Sequence, residues 1–461
     1  MKYARKDYEA LDKKTLWHPF TQMKDWMESP QLVIQRAKGP YLFDTHGRKY
    51  LDGVSSLWAN VHGHSHPTLV NAVQSQIKEL DHSTLLGLSH IRAIELAQQL
   101  IRLTPSQLTR VFYSDDGSTA VEVALKMSFH YWRHRGKTFS RKKRFVSFTN
   151  SYHGDTLGSV SLGGVDLFHR IYEPLLFRSY KAFYPSCYRC PFGKQPTTCN
   201  VYCSQEIERI LHQHHREICA VIIEPGIQGA AGMLTAPAGF LKRVEALCRQ
   251  FQVHLILDEV ATGFGRTGKM FALEHENVSP DFLALAKGLT GGILPLAATL
   301  TTEEIFRAFH GEYSEFKTFF HGHTYTGNPL ACAAALANLK IFRQEKTLKR
   351  LQTKIRYLKE RLKQFSTLRH VGDVRQAGFM VGVELVEDRH LKRPFPVRNR
   401  AGHRVVLEAR RRGIILRPLG DVIVVMPPLS ITLRQLKNLL DVTHESIRVV
   451  TEKTNRAGAK R

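Results

Sequence analysis

Lys287 closes the short apolar run Leu285-Ala286-Lys287 and is followed by Gly288-Leu289-Thr290-Gly291-Gly292. Upstream by 287 − 258 = 29 residues, the run His254-Leu255-Ile256-Leu257 ends in Asp258 and Glu259. A lysine amine at one strand end can form a Schiff base with an aldehyde. An aspartate at a nearby strand end can pair with a pyridinium nitrogen and keep it protonated. Together these are what pyridoxal 5'-phosphate needs to act as an electron sink. Taken singly, the two residues better suit a solvated lysine and a capping aspartate. The rest of the chain must decide between these readings.

Ser114-Asp115-Asp116-Gly117-Ser118-Thr119-Ala120 adds a second piece. It follows a candidate strand and opens a candidate helix, whose N-terminus offers free N–H groups and a positive dipole end to an anion. Gly117 allows close backbone approach and Ser118 adds a hydroxyl, which makes a phosphate cup; an ordinary N-cap is the alternative. Tyr152, in Asn150-Ser151-Tyr152-His153-Gly154-Asp155, lies in a loop just past another candidate strand. A ring there can stack on a flat cofactor or simply pack.

Three further patterns invite a ligand. Gly263-Phe264-Gly265-Arg266-Thr267-Gly268 fits G-x-G-x-x-G, but residues 269–274 do not clearly begin a crossover helix, so a dinucleotide is not assigned. His62, His64 and His66 alternate in a turn region with no nearby acidic partner to orient an imidazole, so no metal is assigned there. Cys187, Cys190, Cys199 and Cys203 fall within seventeen residues as C-x2-C-x8-C-x3-C. That spacing suits thiolate-bound zinc or an iron–sulfur cluster, or a loop with reduced thiols.

The elements that must position these residues alternate. Strand-like apolar runs at 108–113, 144–148, 220–223, 253–257 and 282–286 are separated by helical patterns such as 120–133 and 239–250. This predicts a mostly parallel sheet covered by helices. Residues 341–365 read as one long charged helix, with Ile341, Leu348, Leu351, Ile355, Leu358 and Leu362 at helical spacing. Strands at 378–384 and 422–425 and a hairpin from Tyr41 to Asp52 suggest a smaller α+β unit built from both ends of the chain.

With 461 residues and 43% hydrophobic content, the chain can bury a substantial core. No run of eighteen apolar residues occurs, so no membrane span is expected. The leading Met1-Lys2-Tyr3-Ala4-Arg5-Lys6 lacks the apolar region of a secretory signal, and a cytoplasmic location is expected. Basic residues exceed acidic ones by 66 − 41 = 25. They are dispersed, with the densest runs at 141–144, in 348–363 and at 453–461, and no aromatics interleave them. A solvated basic surface is therefore expected rather than a nucleic-acid platform. An odd count of seven cysteines argues against a disulfide framework.

Together the segments resemble class III aminotransferases, pyridoxal phosphate enzymes of fold-type I, over nearly the whole chain. The resemblance rests on Trp17-His18-Pro19-Phe20-Thr21, on Asp52-Gly53-Val54-Ser55-Ser56-Leu57-Trp58 and on the run from Asp258 to Gly268. Gly322-His323-Thr324-Tyr325-Thr326-Gly327-Asn328-Pro329 and Arg417-Pro418-Leu419-Gly420 complete it. It implies an α/β fold. A large cofactor domain over 76–340 would carry a mostly parallel seven-stranded sheet, and a small α+β domain would combine 1–75 with 341–461.

The resemblance also implies roles. Lys287 would carry the cofactor and shuttle a proton, and Asp258 would hold the pyridine nitrogen. Gly117 and Ser118 would bind phosphate, with Tyr152 against the ring. Gly322 would line the substrate pocket, and Arg417 would pair with a substrate carboxylate. His323 and Thr324 would reach the phosphate of a neighbouring subunit, making a homodimer with shared sites. Phe20, Leu57 and Trp58 would contact substrate. Relatives usually have tyrosine at the position of Phe20, and often tryptophan at that of Leu57 and proline at that of His323. The implied reaction is transamination of 8-amino-7-oxononanoate to 7,8-diaminononanoate in biotin synthesis, with S-adenosylmethionine or lysine as amino donor. The alternative is another ω-aminotransferase of the class, acting on a diamine or ω-amino acid.

Overall fold

The computed structural model describes residues 7–195 and 197–452. The leading residues and the basic run 453–461 lie outside the described residues.

Seven strands form the central sheet. In spatial order they are Leu108–Ser114, Ala297–Thr302, Phe282–Leu285, His254–Asp258, Ile218–Ile223, Arg144–Phe148 and Tyr180–Ala182. Only Ala297–Thr302 runs antiparallel to its neighbours. Every residue of Ile218–Ile223 and His254–Asp258 is buried, which is why these strands read as unbroken apolar runs. The helix Gly117–His134 packs on the central strands, and Phe240–Gln250 packs beside His254–Asp258. The seven-stranded, mostly parallel α/β architecture expected from the sequence is thus present.

Two four-stranded sheets accompany it, besides the two-stranded pair of Ile227–Gln228 and Leu234–Thr235. The hairpin of Tyr41–Asp44 and Lys49–Asp52 is extended by Ile414–Ile415, which pairs parallel with Lys49–Asp52 and so joins the two ends of the chain. Val371–Ala377, Met380–Leu385, Val422–Val425 and Arg417–Leu419 form a four-stranded antiparallel sheet. Arg417 stands on its edge strand.

One expected element differs. Residues 341–365 are not one helix. Pro329–Gln344 ends at Glu345, and Lys346 takes a left-handed φ of 51° before Thr347–Leu362 begins. The apolar spacing runs through this break because both helices bury a face of the same core, so periodicity alone cannot reveal it.

Among the described residues no helix is long and apolar enough to cross a membrane.

Candidate active site

A cavity of about 730 Å³ opens at the C-terminal edge of the parallel strands, where open α/β sheets bind ligands. Each strand delivers its next residues there. Leu108–Ser114 leads to Asp115, Asp116, Gly117 and Ser118, and Arg144–Phe148 leads to the loop 152–156. Ile218–Ile223 leads to Glu224, His254–Asp258 ends in Asp258, and Phe282–Leu285 leads to Lys287. The antiparallel strand Ala297–Thr302 reaches the same edge with the residues that precede it, 292–296.

Lys287 opens a 3-10 turn with φ of 43°, a left-handed conformation rare for a side chain of this length. Its Nζ lies 5.5 Å from the centre of the Trp58 ring. Burial pushes the amine below its usual pKa, while Asp258 and Glu224 oppose that shift. Asp258 is buried. Its Oδ2 accepts from His153 Nδ1 at 2.7 Å and its Oδ1 from the Val260 amide at 3.1 Å.

The phosphate-cup candidate is a well-formed helix start. Asp116 caps Gly117–His134 by accepting from the Thr119 amide, with the reciprocal bond completing a capping box. The amides of Gly117 and Ser118 lie in the first turn, where helix geometry provides no intrahelical acceptor. A Cβ on Gly117 would stand 2.5 Å from Val260 Cγ1, so a side chain there would collide with the cavity wall. Ser118 Oγ bonds Thr156 Oγ1 at 2.8 Å, which ties the cup to the Tyr152 loop. Tyr152 lines the cavity and donates to Asp155 Oδ2 at 2.7 Å. Burial, followed by that hydrogen bond, raises its phenol pKa.

Trp58 also lines the cavity, on a segment where Ser55, Ser56 and Trp58 all have positive φ. The fully buried Arg266 holds it there. Its guanidinium donates to the carbonyls of Trp58, Asn60 and Pro427 at 3.2, 2.8 and 3.0 Å, and to Ser55 Oγ at 3.2 Å. The glycine motif around Arg266 therefore serves a clamp. It is followed only by the 3-10 turn Ala272–His275.

Other expected site residues lie further out. Phe20 is exposed and packs edge-on against Phe168 at 5.3 Å, and Phe168 packs edge-on against Tyr152 at 6.3 Å. Leu57 is half exposed. Arg417 is half-buried and is not part of the cavity wall. Burial lowers its pKa and the field of Tyr152 opposes this. Gly322 and Thr324 are exposed and do not line this chain's cavity, and neither does His323. His323 Nδ1 meets Asp115 Oδ2 at 2.8 Å, so it touches the cavity's rim through Asp115.

Sequence reasoning missed Glu224, His153 and Arg266. Glu224 follows an apolar run just as Asp258 ends one, and that signal was available. It accepts from the Tyr152 and Gly229 amides at 3.1 and 3.0 Å. Burial, with the charge of Asp258, pushes its pKa up to about 8. His153 and Arg266 have partners 105 and more than 150 residues away, which no local pattern reveals.

The reason given against a metal at the histidines, and the metal reading of the cysteines, need correction. His64 and His66 do have acidic partners: Asp52 at 2.9 Å and Glu345 at 3.1 Å. Asp52 lies 12 residues before His64 and Glu345 279 residues after His66, so the two rings are engaged in separate pairs. Cys187, Cys190, Cys199 and Cys203 line one small cavity with Tyr184, Phe192 and Tyr202. Burial, then the neighbouring thiols, raise the pKa of Cys187 and push that of Cys203 up to about 11. Among the described residues no group of three or more His, Cys, Asp or Glu could hold a metal ion. The expected thiolate-bound metal is not supported. The segment instead docks on the C-terminal sheet, where Arg189 pairs with Glu384 at 2.7 Å and Lys392 Nζ donates to the Tyr188 carbonyl at 2.6 Å.

Residues 23–447 match the family described as aminotransferase class-III. The chain belongs to that family. Its members use pyridoxal 5'-phosphate, and the cavity fits that group: a buried amine, a buried carboxylate and the first turn of a long helix converge on it. The chain is 55% identical over 443 residues to an adenosylmethionine-8-amino-7-oxononanoate aminotransferase from Nitratidesulfovibrio vulgaris, covering 96% of this chain and 82% of that protein. A crystal structure of the enzyme of that name from Methanocaldococcus jannaschii superimposes with a TM-score of 0.91 at 46% identity, covering 96% and 98% of the two chains. An ω-transaminase from Pseudomonas jessenii in complex with PMP superimposes with a TM-score of 0.93 at 30% identity, covering 98% and 100%.

Proposed function

We propose that this aminotransferase converts 8-amino-7-oxononanoate to 7,8-diaminononanoate in biotin synthesis, with S-adenosylmethionine as amino donor and lysine as the alternative. The observation that carries the chemistry is Lys287 and Asp258 at one cavity edge, beside a helix start suited to phosphate. The choice of keto acid is supported by the similarity to the Nitratidesulfovibrio enzyme.

When bound, pyridoxal phosphate supplies the electron sink and carries the amino group between the two substrates. The chain's own residues do the rest. Lys287 Nζ is the covalent anchor and the base that removes a proton from the amine-bearing carbon of the donor. Its lowered pKa favours the free amine that both roles need. The Asp258 carboxylate holds a proton on the pyridine nitrogen. The amides of Gly117 and Ser118 hold the phosphate, and Tyr152 flanks the ring. Arg417 pairs with the carboxylate of the keto acid, as a planar guanidinium does well.

The active form in this reading is a cytoplasmic homodimer. His323 and Thr324 stand outside their own cavity, and Leu86, Leu88, Ile91, Ile94 and Phe320 are large exposed apolar side chains that a second copy would cover.

The test is a steady-state assay with 8-amino-7-oxononanoate as acceptor and either S-adenosylmethionine or lysine as donor. Formation of 7,8-diaminononanoate with one of them supports the reading. Activity confined to diamines or ω-amino acids with other keto acids would replace it with a general ω-aminotransferase.

A further inference from the structure

We propose that His153 is a positioning residue whose Nδ1–H fixes the plane of the Asp258 carboxylate, an inference that rests on reading Asp258 as the partner of the pyridine nitrogen. The two residues come from elements separated by the strand Ile218–Ile223. His153 follows Arg144–Phe148, and Asp258 ends His254–Asp258. Nδ1 and Oδ2 stand 2.7 Å apart and both side chains are buried.

The terminal torsion of an aspartate is broad, so a buried carboxylate turns unless donors hold it. Asp258 has a donor on each oxygen: His153 on Oδ2 and the Val260 amide on Oδ1. Val260 belongs to the same turn and moves with Asp258. His153 is therefore the contact that ties the carboxylate to the rest of the site. Each oxygen keeps lone-pair capacity for a further donor.

The imidazole is itself held. On one side of it the Tyr152 amide donates to Glu224 Oε1 at 3.1 Å. On the other, Gly154 has φ of 122°, and a Cβ there would stand 2.3 Å from Ser118 Oγ. The loop is thus clamped between the Glu224 carboxyl and the phosphate cup. It carries Tyr152 to the ring face and His153 to Asp258 as one unit. Because a carboxylate accepts, Nδ1 must carry the proton. Nε2 is buried and has no protein partner among the described residues, so no second contact competes for the ring's orientation.

The test compares His153→Ala, His153→Asn and Asp258→Asn. In the cofactor-free protein, imidazole 15N resonances should show His153 as the Nδ1–H tautomer, and Asp258→Asn should shift that signal. In the loaded protein, His153→Ala should weaken cofactor binding and lower kcat by about 10–100-fold, the size that outer partners of metal ligands show. KM for the keto acid should not change. His153→Asn keeps an N–H near the Nδ1 position and should restore most of both losses. An Nε2–H tautomer in the cofactor-free protein overturns the proposal, as does a His153→Asn variant as impaired as His153→Ala. A crippled Asp258→Asn beside a His153→Ala of parental activity also overturns it while leaving Asp258's role intact. Parental activity in Asp258→Asn removes the reading of Asp258 and this inference with it.

Discussion

Asp258 stands in register with Ala284 on the adjacent parallel strand, and Ala284 is 287 − 284 = 3 residues before Lys287. The acid and the amine therefore leave the sheet at the same edge. Two short apolar strands, side by side and ending together, bring a carboxylate and an amine into one cavity although 29 residues of chain separate them.

Lys287→Ala should abolish turnover while the protein folds and still takes up cofactor without a covalent link. Loss of a positioned acid–base group alone costs about 10²–10⁴-fold, and loss of the covalent anchor adds to it. Steady-state kinetics and the visible absorbance of the loaded protein check this together. Multiple turnovers at a substantial rate in the variant would remove Lys287 from the centre of the chemistry.

Asp258→Asn should lower kcat sharply and leave part of the cofactor affinity in place. The amide cannot hold the pyridine proton, but the helix start at Gly117 still offers its N–H groups to phosphate. Cofactor titration beside kcat separates the two effects. Near-parental turnover would make Asp258 only a cap for its own turn.

How much of this was legible follows from where the partners lie. Ile218–Ile223 and His254–Asp258 are buried on both faces and could be seen as apolar runs. Ala297–Thr302 and Tyr180–Ala182 could not, because small and polar residues make up most of their lengths. Lys287, Asp258, Gly117 and Tyr152 announced themselves by residue type at strand and helix ends. Arg266 did not, since its worth lies in carbonyls of Trp58, Asn60 and Pro427 that only the folded chain collects. The break at Lys346 was hidden because both flanking helices keep one apolar period.

Glu224 makes the stability of the cofactor-free protein depend on pH. Its ordinary pKa of 4.5 is raised to about 8 in the fold. A carboxyl raised in this way contributes fully below the unfolded value, and the contribution is lost as pH rises through the folded one. Stability should therefore fall between about pH 4.5 and 8 by an amount on the order of a few kcal/mol, and Glu224→Gln should flatten that part of the profile. Denaturant unfolding of both proteins across this window measures it. An identical slope in the two would show that Glu224 is not the titrating group.

Arg417→Lys should weaken use of the keto acid far more than it weakens cofactor binding. Lysine keeps the charge but loses the planar fork. A charge pair left half-made in a partly buried setting costs about 2–5 kcal/mol by analogy with interface pairs. The readout is KM and kcat/KM for 8-amino-7-oxononanoate beside a cofactor titration. Unchanged kinetics in Arg417→Ala would mean that another group holds the carboxylate.

The central claim is that Lys287 holds pyridoxal phosphate in the cavity at the sheet's edge. Borohydride reduction of the loaded protein, followed by peptide mass mapping, tests it most directly. The chain has another lysine whose amine is withdrawn from water, Lys181: its Nζ donates to Ser147 Oγ and to the Gly163 carbonyl, and desolvation pushes its pKa down to about 7, so the experiment discriminates between real competitors. The account predicts one reduced pyridoxyl phosphate group per chain, on the peptide that contains Lys287. A label on Lys181 or any other lysine, or no label at all, would contradict it.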